Sequence, residues 1–192
     1  MRVIAHTTAT AYDMVSTVPA TRWEASERPS KIDASVIDRT RHGAFISGAV
    51  AFDTGHFAIS PAEAGAMDPQ QRVLLEGGYV ALHGSSFDKA MLNGSGTGVA
   101  LGIYATEFAQ LLAGSPLGRS VYASTNALSI ASGRVSFALG LQGPCASFET
   151  ACSASLVAAH SAARALQHAE CGEHLAAGVN LMLLQASSIG MA

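Results

Sequence analysis

The second half of the chain alternates short apolar runs with segments of helical spacing, which restricts its fold more than any other feature of the sequence. "TGVALGI" (97–103) and "HLAAGVNLMLL" (174–184) predict buried strands, and "GPCASFE" (143–149) predicts a turn followed by a strand. Between these runs, apolar spacing predicts one helix from Ser124 to Leu139 and another from Cys152. Apolar strands that alternate with helices imply an α/β fold, in which helices cover the sheet.

The predicted helices carry start, stop and face signals. Asp68 can cap a helix that Pro69 opens, and Gln71 completes the pattern of a capping box. Gly140 can end the helix that precedes it. On the helix from Cys152, the apolar spacing defines one face that contains Cys152, Leu156, Ala159, Ala163 and Leu166.

Charged residues make up 13% of the chain, against roughly 25% in an ordinary globular domain. A chain so poor in charge buries much of its surface or presents a large interface to a partner. The net charge of −3, without a basic patch, argues against a nucleic-acid partner.

No apolar run reaches the ~18 residues of a membrane span. Three cysteines without CxxC spacing indicate free thiols in a reducing compartment, so we expect a cytoplasmic protein. The lack of acidic residues before Asp13 also permits an organelle transit peptide.

"FETACSAS" (148–155) places Cys152 where a predicted strand passes into a predicted helix. The first turn of a helix has unpaired backbone N–H groups, which favour negative charge. A thiol there favours the nucleophilic thiolate form, and the same N–H groups can stabilise an oxyanion. From these residues alone, a buried structural cysteine remains the alternative. Cys145 and Cys171 are interpreted as buried thiols.

Three other patterns are interpreted as structural. His168, Cys171 and His174 have a spacing that could hold a metal, but no fourth ligand is nearby, so we predict no metal site. "NGSGTG" (93–98) precedes a strand, whereas dinucleotide loops follow one, so it is predicted to be a turn and no cofactor-binding residue is assigned. Arg134 is predicted to form a structural ion pair.

Several motifs resemble those of β-ketoacyl synthase domains, especially in type I polyketide and fatty acid synthases. They occur in the expected family order and are "VPATRW", "ISPAEAGAMDPQQRVLLE", "TGVALGIYATEFAQLL", "ASGRVSFALGLQGP" and "GPCASFETACSASLVAAH". The resemblance implies a thiolase-like layered α/β fold, represented by most of its N-terminal half. Residues 18–192 would form a partial β-ketoacyl synthase N-terminal domain, after an irregular or truncated start at 1–17.

The resemblance also implies a mechanism and partners. Cys152 would accept an acyl group as the nucleophile, with its backbone N–H in the oxyanion hole. The acyl group would then condense with a malonyl-type extender on an acyl carrier protein. Phosphopantetheine would arrive on that carrier, so no cofactor would be bound directly. "GPCASFET" would lie at a homodimer interface.

The sequence departs from the family pattern at Glu149, Ala154 and Ala177, where the family usually has Asp, Ser and Gly. The apolar first strand of the family is not recognisable before "VPATRW". The two catalytic histidines of the family would lie beyond Ala192, so we expect that this chain alone cannot complete condensation. Two alternatives stay open: a non-catalytic dimerisation or decoy partner of an intact synthase, and a cysteine acyltransferase or hydrolase that uses Cys152 with a local base.

Overall fold

The computed structural model describes residues 13–20, 22–23, 32–46, 48–104 and 107–192. Its backbone divides into two units, residues 49–181 and the remainder, residues 1–48 with 182–192.

The elements follow one another in a mixed α/β order. In chain order they are β1 (Val15–Thr17), α1 (Ala34–Arg39), β2 (His42–Ala44), α2 (Thr54–Phe57), α3 (Pro61–Ala66), α4 (Pro69–Gly84), α5 (Lys89–Leu92), β3 (Gly98–Ile103), α6 (Glu107–Ala113), α7 (Leu128–Leu139), β4 (Cys145–Phe148), α8 (Ala154–Gln167), β5 (His174–Val179) and α9 (Gln185–Met191). Short 3-10 turns occupy Pro116–Arg119, Val121–Asn126 and Ala151–Ser153.

In the smaller unit, β1 and β2 form an antiparallel pair, with Val15 opposite Ala44. Asp33 caps α1, since its carboxylate accepts a hydrogen bond from the backbone N–H of Ser35 at 2.7 Å. Ile37 on α1 is buried. None of the described residues of this unit is a candidate site residue.

The larger unit is built on a parallel sheet with the strand order β4-β3-β5. All six residues of the central strand β3 are buried, so the predicted buried strand at 97–103 is confirmed. Helices α4 and α7 lie on one face of the sheet and α8 on the other. The α/β fold predicted from alternating strands and helices is therefore confirmed.

The face under α4 and α7 holds the main apolar core. Val99, Leu101 and Ile103 alternate along β3 onto this face. They pack against large side chains from both helices, including Leu74, Leu75, Val135 and Leu139. Helix α7 ends at Gly140, whose φ of 72° lies in the left-handed region, as the sequence predicts.

The face under α8 is built from much smaller side chains. Ala100 on β3 packs against Ala158 and Ala162 on α8. The buried residues of this helix are all alanines, Ala154, Ala158, Ala162 and Ala165. Leu156 is 72% exposed and Leu166 is 42% exposed. The face defined by apolar spacing is therefore the exposed one, because the helix approaches the sheet too closely for leucines.

Two local predictions are confirmed at the start of α4, and one is wrong. The carboxylate of Asp68 accepts a hydrogen bond from the N–H of Gln70 at 2.8 Å, and Pro69 is the first helical residue. Gln71 does not complete a capping box. Its amide donates instead to the carbonyl of Thr125 at 3.1 Å, while Asn126 accepts from the Asp68 N–H at 2.7 Å. A tertiary contact thus replaces the local one.

The strand predicted at 174–184 is shorter and less buried than expected. β5 ends at Val179, opposite Ile103, because its neighbour β3 ends there. Within β5 only Leu175 is fully buried. Beyond the strand, the N–H of Leu181 donates to the side-chain oxygen of Gln70 at 3.2 Å.

The turn predicted at 93–98 is confirmed. Gly94 has a φ of 81°, and its N–H donates to the Gly140 carbonyl at 2.7 Å.

Candidate active site

Cys152 lies in the 3-10 turn Ala151–Ser153, between the end of β4 and the start of α8. This is the strand-to-helix junction that the sequence predicts. The side chain of Cys152 is exposed and forms no disulfide. The alternative of a buried structural cysteine at this position is therefore wrong in this chain.

The backbone turns sharply just before the thiol. Ala151 has a φ of 50°, in the left-handed region that residues with a Cβ rarely adopt. The turn is closed from the other side by Ser153, whose N–H donates to the carbonyl of Thr150 at 3.2 Å. The hydroxyl of Ser153 also donates to that carbonyl, at 2.7 Å. These contacts hold Cys152 in a turn of defined geometry.

Ser153 occupies the N-cap position of α8 but does not act as a cap. Its backbone angles, φ −93° and ψ −2°, are close to helical, and its hydroxyl points back to Thr150. The Ser153 side chain therefore does not cap α8, and the N–H of Ala154 donates instead to the carbonyl of Ala151. The dipole of α8 still favours negative charge at its start, next to Cys152.

The start of α8 rests on two glycines that the sequence reasoning did not identify. Gly102 on β3 and Gly178 on β5 pair with each other across the sheet, and Gly102 also pairs with Phe148 on β4. All three strands therefore contribute to the surface beneath the first turn of α8. The available signal was a glycine inside an apolar strand pattern, which marks a close approach of another backbone.

The other two cysteines are not the buried thiols that we predict from the sequence. Cys145 is exposed, because β4 lies at an edge of the sheet, and Cys171 is partly exposed in the connection between α8 and β5. Cys145 is therefore exposed in the single chain, on an edge strand close in sequence to Cys152. Cys171, which lies off that strand, provides the comparison for the reactivity of Cys152.

The candidate metal residues lie apart from Cys152 in the sequence, near the end of α8. His168 follows the last turn of α8, with its Nε2 atom 2.8 Å from a guanidinium nitrogen of Arg164, and His174 begins β5. Within the described ranges, no group of three or more His, Cys, Asp or Glu side chains is placed to hold a metal. No helix in the described part of the chain has the length and apolar character to cross a membrane.

Arg134 forms the ion pair that we predict. Its guanidinium lies 2.5 Å from the Glu63 carboxylate and donates to the Thr125 hydroxyl at 2.6 Å. The pair links α7, α3 and the 3-10 turn before α7. Arg134 is thus a structural residue, as expected.

Comparison with known proteins identifies the family. The model for the β-ketoacyl synthase N-terminal domain matches residues 6–192. Polyketide synthase GfsB of Streptomyces halstedii is 44% identical over 179 residues, which cover 88% of this chain and 3% of that protein. Pikromycin polyketide synthase component PikAII of Streptomyces venezuelae is 46% identical over 151 residues, which cover 78% of this chain and 4% of that protein.

Solved structures agree with this assignment. A ketosynthase from module 6 of the bacillaene synthase of Bacillus subtilis matches with a TM-score of 0.87 and 30% identity, over 99% of this chain and 31% of that chain. An oxazolomycin ketosynthase domain of Streptomyces albus matches with a TM-score of 0.82 and 26% identity, over 98% of this chain and 33% of that chain. The chain thus spans about a third of these ketosynthases and far less of the curated synthases.

These likenesses confirm the predicted thiolase-like fold and the resemblance drawn from the motifs. The match covers nearly the whole chain in sequence and in backbone, so the assignment does not depend on a single motif. The chain belongs to the β-ketoacyl synthase family of acyl-transferring condensing enzymes, and it represents part of the ketosynthase N-terminal domain as found in polyketide synthases.

Proposed function

We propose that Cys152 is the acyl-accepting nucleophile of a ketosynthase that extends polyketide chains. The observation that carries the proposal is the exposed thiol of Cys152 in a sharp turn at the start of α8, in a chain of this family. A cysteine thiolate is intrinsically very nucleophilic, and covalent catalysis divides one difficult step into two easier ones. The similarity to polyketide synthases supports the polyketide pathway.

The first half-reaction is a transfer between thioesters. The Cys152 thiolate attacks the carbonyl carbon of an acyl thioester, and a C–S bond to Cys152 forms. The resulting oxyanion is stabilised by backbone N–H groups, to which we assign the N–H of Cys152 itself. Collapse of the intermediate breaks the original C–S bond and releases the carrier thiolate. The acyl group then remains on Cys152.

The second half-reaction forms a carbon–carbon bond. A malonyl-type extender loses its carboxylate as CO2, and the electron pair of the broken bond stays on the α-carbon. That carbon attacks the acyl carbonyl on Cys152, a C–C bond forms, and the C–S bond to Cys152 breaks. The products are a β-ketoacyl thioester and the regenerated thiolate. Acyl carrier protein is the proposed partner, because it presents both thioesters on phosphopantetheine.

The setting of the protein follows from the same chemistry. All three cysteines are free, which suits a reducing compartment, so we propose a cytoplasmic location. A thiol nucleophile needs such a compartment, since oxidation would remove it.

The proposal is tested by mapping where an acyl thioester reacts. The native full-length protein is incubated with an acyl thioester, and cleavage after Glu149 separates Cys145 from Cys152 for mass spectrometry. We expect the acyl mass on the fragment that contains Cys152 and not on the one that contains Cys145. Cys152→Ala should abolish labelling, whereas the matched Cys145→Ala should retain it. Equal labelling of both cysteines, or labelling that survives Cys152→Ala, would refute the assignment.

We further propose that β4 lies at the interface of a homodimer. Among the described strands β4 pairs only with β3, so its other edge carries unpaired backbone groups. A second copy related by a two-fold axis would pair the two β4 strands. Like charges that lie opposite each other on paired strands are destabilising.

The dimer is tested by measuring the molar mass in solution. Cys145→Lys on β4 should convert the dimer to monomers. The melting temperature of these monomers should not be lower than that of the native monomer. Glu170→Lys, an exposed position after α8, serves as the matched control and should leave the dimer intact. A native protein that is monomeric, or a Cys145→Lys variant that stays fully dimeric, would contradict the interface.

A further inference from the structure

We propose that Gly102 and Gly178 are positioning residues that set the height and direction of the Cys152 turn above the sheet. This inference rests on the proposed role of Cys152 as the nucleophile. Neither glycine touches the reacting atoms, and each acts through the first turn of α8.

Gly102 lies on the central strand and is buried directly under the start of α8. A Cβ added to Gly102 would overlap the backbone carbon and oxygen of Ala154 and the backbone nitrogen of Ser155. A side chain can rotate away from such an overlap, but the backbone of a helix start cannot. Any residue with a Cβ at this position therefore moves the first turn of α8 away from the sheet.

Gly178 supports the same turn from the neighbouring strand. A Cβ added there would lie 2.5 Å from the Cβ of Ser155. Gly102 and Gly178 are paired in register across the sheet, so the two contacts lie side by side. Together they involve Ala154 and Ser155, which are consecutive residues at the start of α8. The obstacle above Gly178 is a single methylene group, so it can be removed by a substitution at Ser155.

The Cys152 turn has little freedom to absorb a shift of α8. Only Ser153 separates Cys152 from Ala154, the first helical residue. On the other side, Ala151 already holds a left-handed backbone angle. A displacement of the helix start is therefore passed to the thiol, and misplacement of a reacting group by about 1 Å lowers a rate on the order of a hundredfold.

Gly98 provides a matched control on the same strand. It is also buried in β3, and a Cβ there would lie 2.5 Å from the ring of His174. This overlap is comparable in size, but it occurs at the opposite end of the strand and against a side chain. Gly98→Ala thus disturbs the sheet without touching the start of α8.

The experiment compares Gly102→Ala, Gly178→Ala, Gly98→Ala and the double variant Gly178→Ala with Ser155→Gly in the native full-length protein. Acyl transfer from an acyl thioester to Cys152 is timed well below each melting temperature, and iodoacetamide alkylation of Cys152 is timed alongside that of Cys171. We expect acylation to slow by about tenfold to a hundredfold in Gly102→Ala and Gly178→Ala. The double variant should recover most of the rate, and Gly98→Ala should acylate like the native protein.

The rescue keeps the test decisive if Gly102→Ala does not fold, because the Gly178 and Ser155 pair tests the contact independently. Acylation at the native rate in a folded Gly178→Ala protein would overturn the inference. So would an equal loss in Gly98→Ala, since it would indicate a general effect of sheet damage. If native Cys152 accepts no acyl group, the proposed function fails instead. The positioning effect is then decided by the ratio of Cys152 to Cys171 alkylation, which falls in Gly178→Ala and recovers in the double variant if the inference holds.

Discussion

Arg134 on α7 and Glu63 on α3 form an ion pair of 2.5 Å that is largely withdrawn from water, with side-chain exposures of 9% and 27%. Arg134 also donates to Thr125 from its other terminal nitrogen. Breaking a buried pair leaves an uncompensated charge, which costs about 3–5 kcal/mol when both partners are fully buried. Because Glu63 is partly solvated, we expect Arg134→Ala to lower the free energy of unfolding by about 2–3 kcal/mol. Urea unfolding measures the change.

Lysine at this position separates charge from geometry. A lysine keeps the positive charge but cannot make both bonds in the planar arrangement of the guanidinium. Arg134→Lys should therefore recover only part of the loss. Full stability in Arg134→Lys would mean that charge alone matters, and no loss in Arg134→Ala would remove the structural role.

Asp68 makes the stability of the protein depend on pH. Burial raises the pKa of the Asp68 carboxyl above its ordinary value of 3.8, and Glu107 acts in the same direction. The hydrogen bond from Gln70 and the charge of Arg72 oppose the rise without cancelling it. Because the native state holds this proton more tightly than the unfolded state, the contribution of Asp68 to stability falls as the pH rises from 3.8 through the native pKa.

Asp68→Asn removes that titration while keeping an N-cap acceptor for Gln70. We expect its free energy of unfolding to rise relative to the native protein as the pH increases above 3.8, and to reach a constant advantage near neutral pH. Asp68→Ala, which also removes the cap, should lose about 1 kcal/mol. Denaturant unfolding from about pH 3 to about pH 8 measures these curves. An Asp68→Asn curve parallel to that of the native protein would contradict the raised pKa.

The sequence predicted the three strands of the parallel sheet and helices α4, α7 and α8, because their signals are local. Apolar runs, the Asp68 cap and the Gly140 stop each depend on a few adjacent residues. The capping box failed since Gln71 found a partner at Thr125, 54 residues away. No local pattern carries that information.

For the candidate site, the sequence predicted the position of the nucleophile but not the packing beneath it. Cys152 was identified from its junction and its family motif, and the structure places it at the expected turn. Periodicity selected the wrong face of α8 for burial, because it ranks leucine above alanine. The sheet beneath α8 is lined by Ala100 and Gly102, and only small residues allow the helix to approach so closely.

This packing predicts effects of different size for substitutions at two nearby positions on α8. Ala158 is fully buried against Ala100, so Ala158→Leu forces the helix from the sheet and should cost about 1–3 kcal/mol. Leu156 is 72% exposed, and Leu156→Ala should change stability by no more than about 0.5 kcal/mol. Thermal unfolding of both variants measures the difference. A larger loss in Leu156→Ala than in Ala158→Leu would mean that the helix is rotated relative to this structure.

The left-handed backbone angle at Ala151 should affect activity, whereas the similar angle at Ala169, which lies far from Cys152 in the sequence, should not. Ala151 has a φ of 50° directly before Cys152, and Ala169 has a φ of 56° after the end of α8. A β-branched residue tolerates this region poorly, so Ala151→Val and Ala169→Val should each lose about 1–2 kcal/mol of stability.

Only the first of these substitutions lies next to the thiol. Ala151→Val should therefore slow acylation of Cys152, whereas Ala169→Val should leave the rate unchanged at the same loss of stability. Ala151→Gly, which adopts the angle freely, should acylate at the native rate. Unfolding curves and timed acylation measure both quantities on the same samples. If the two valine variants lose activity in proportion to stability, the Ala151 angle has no particular role in placing the nucleophile.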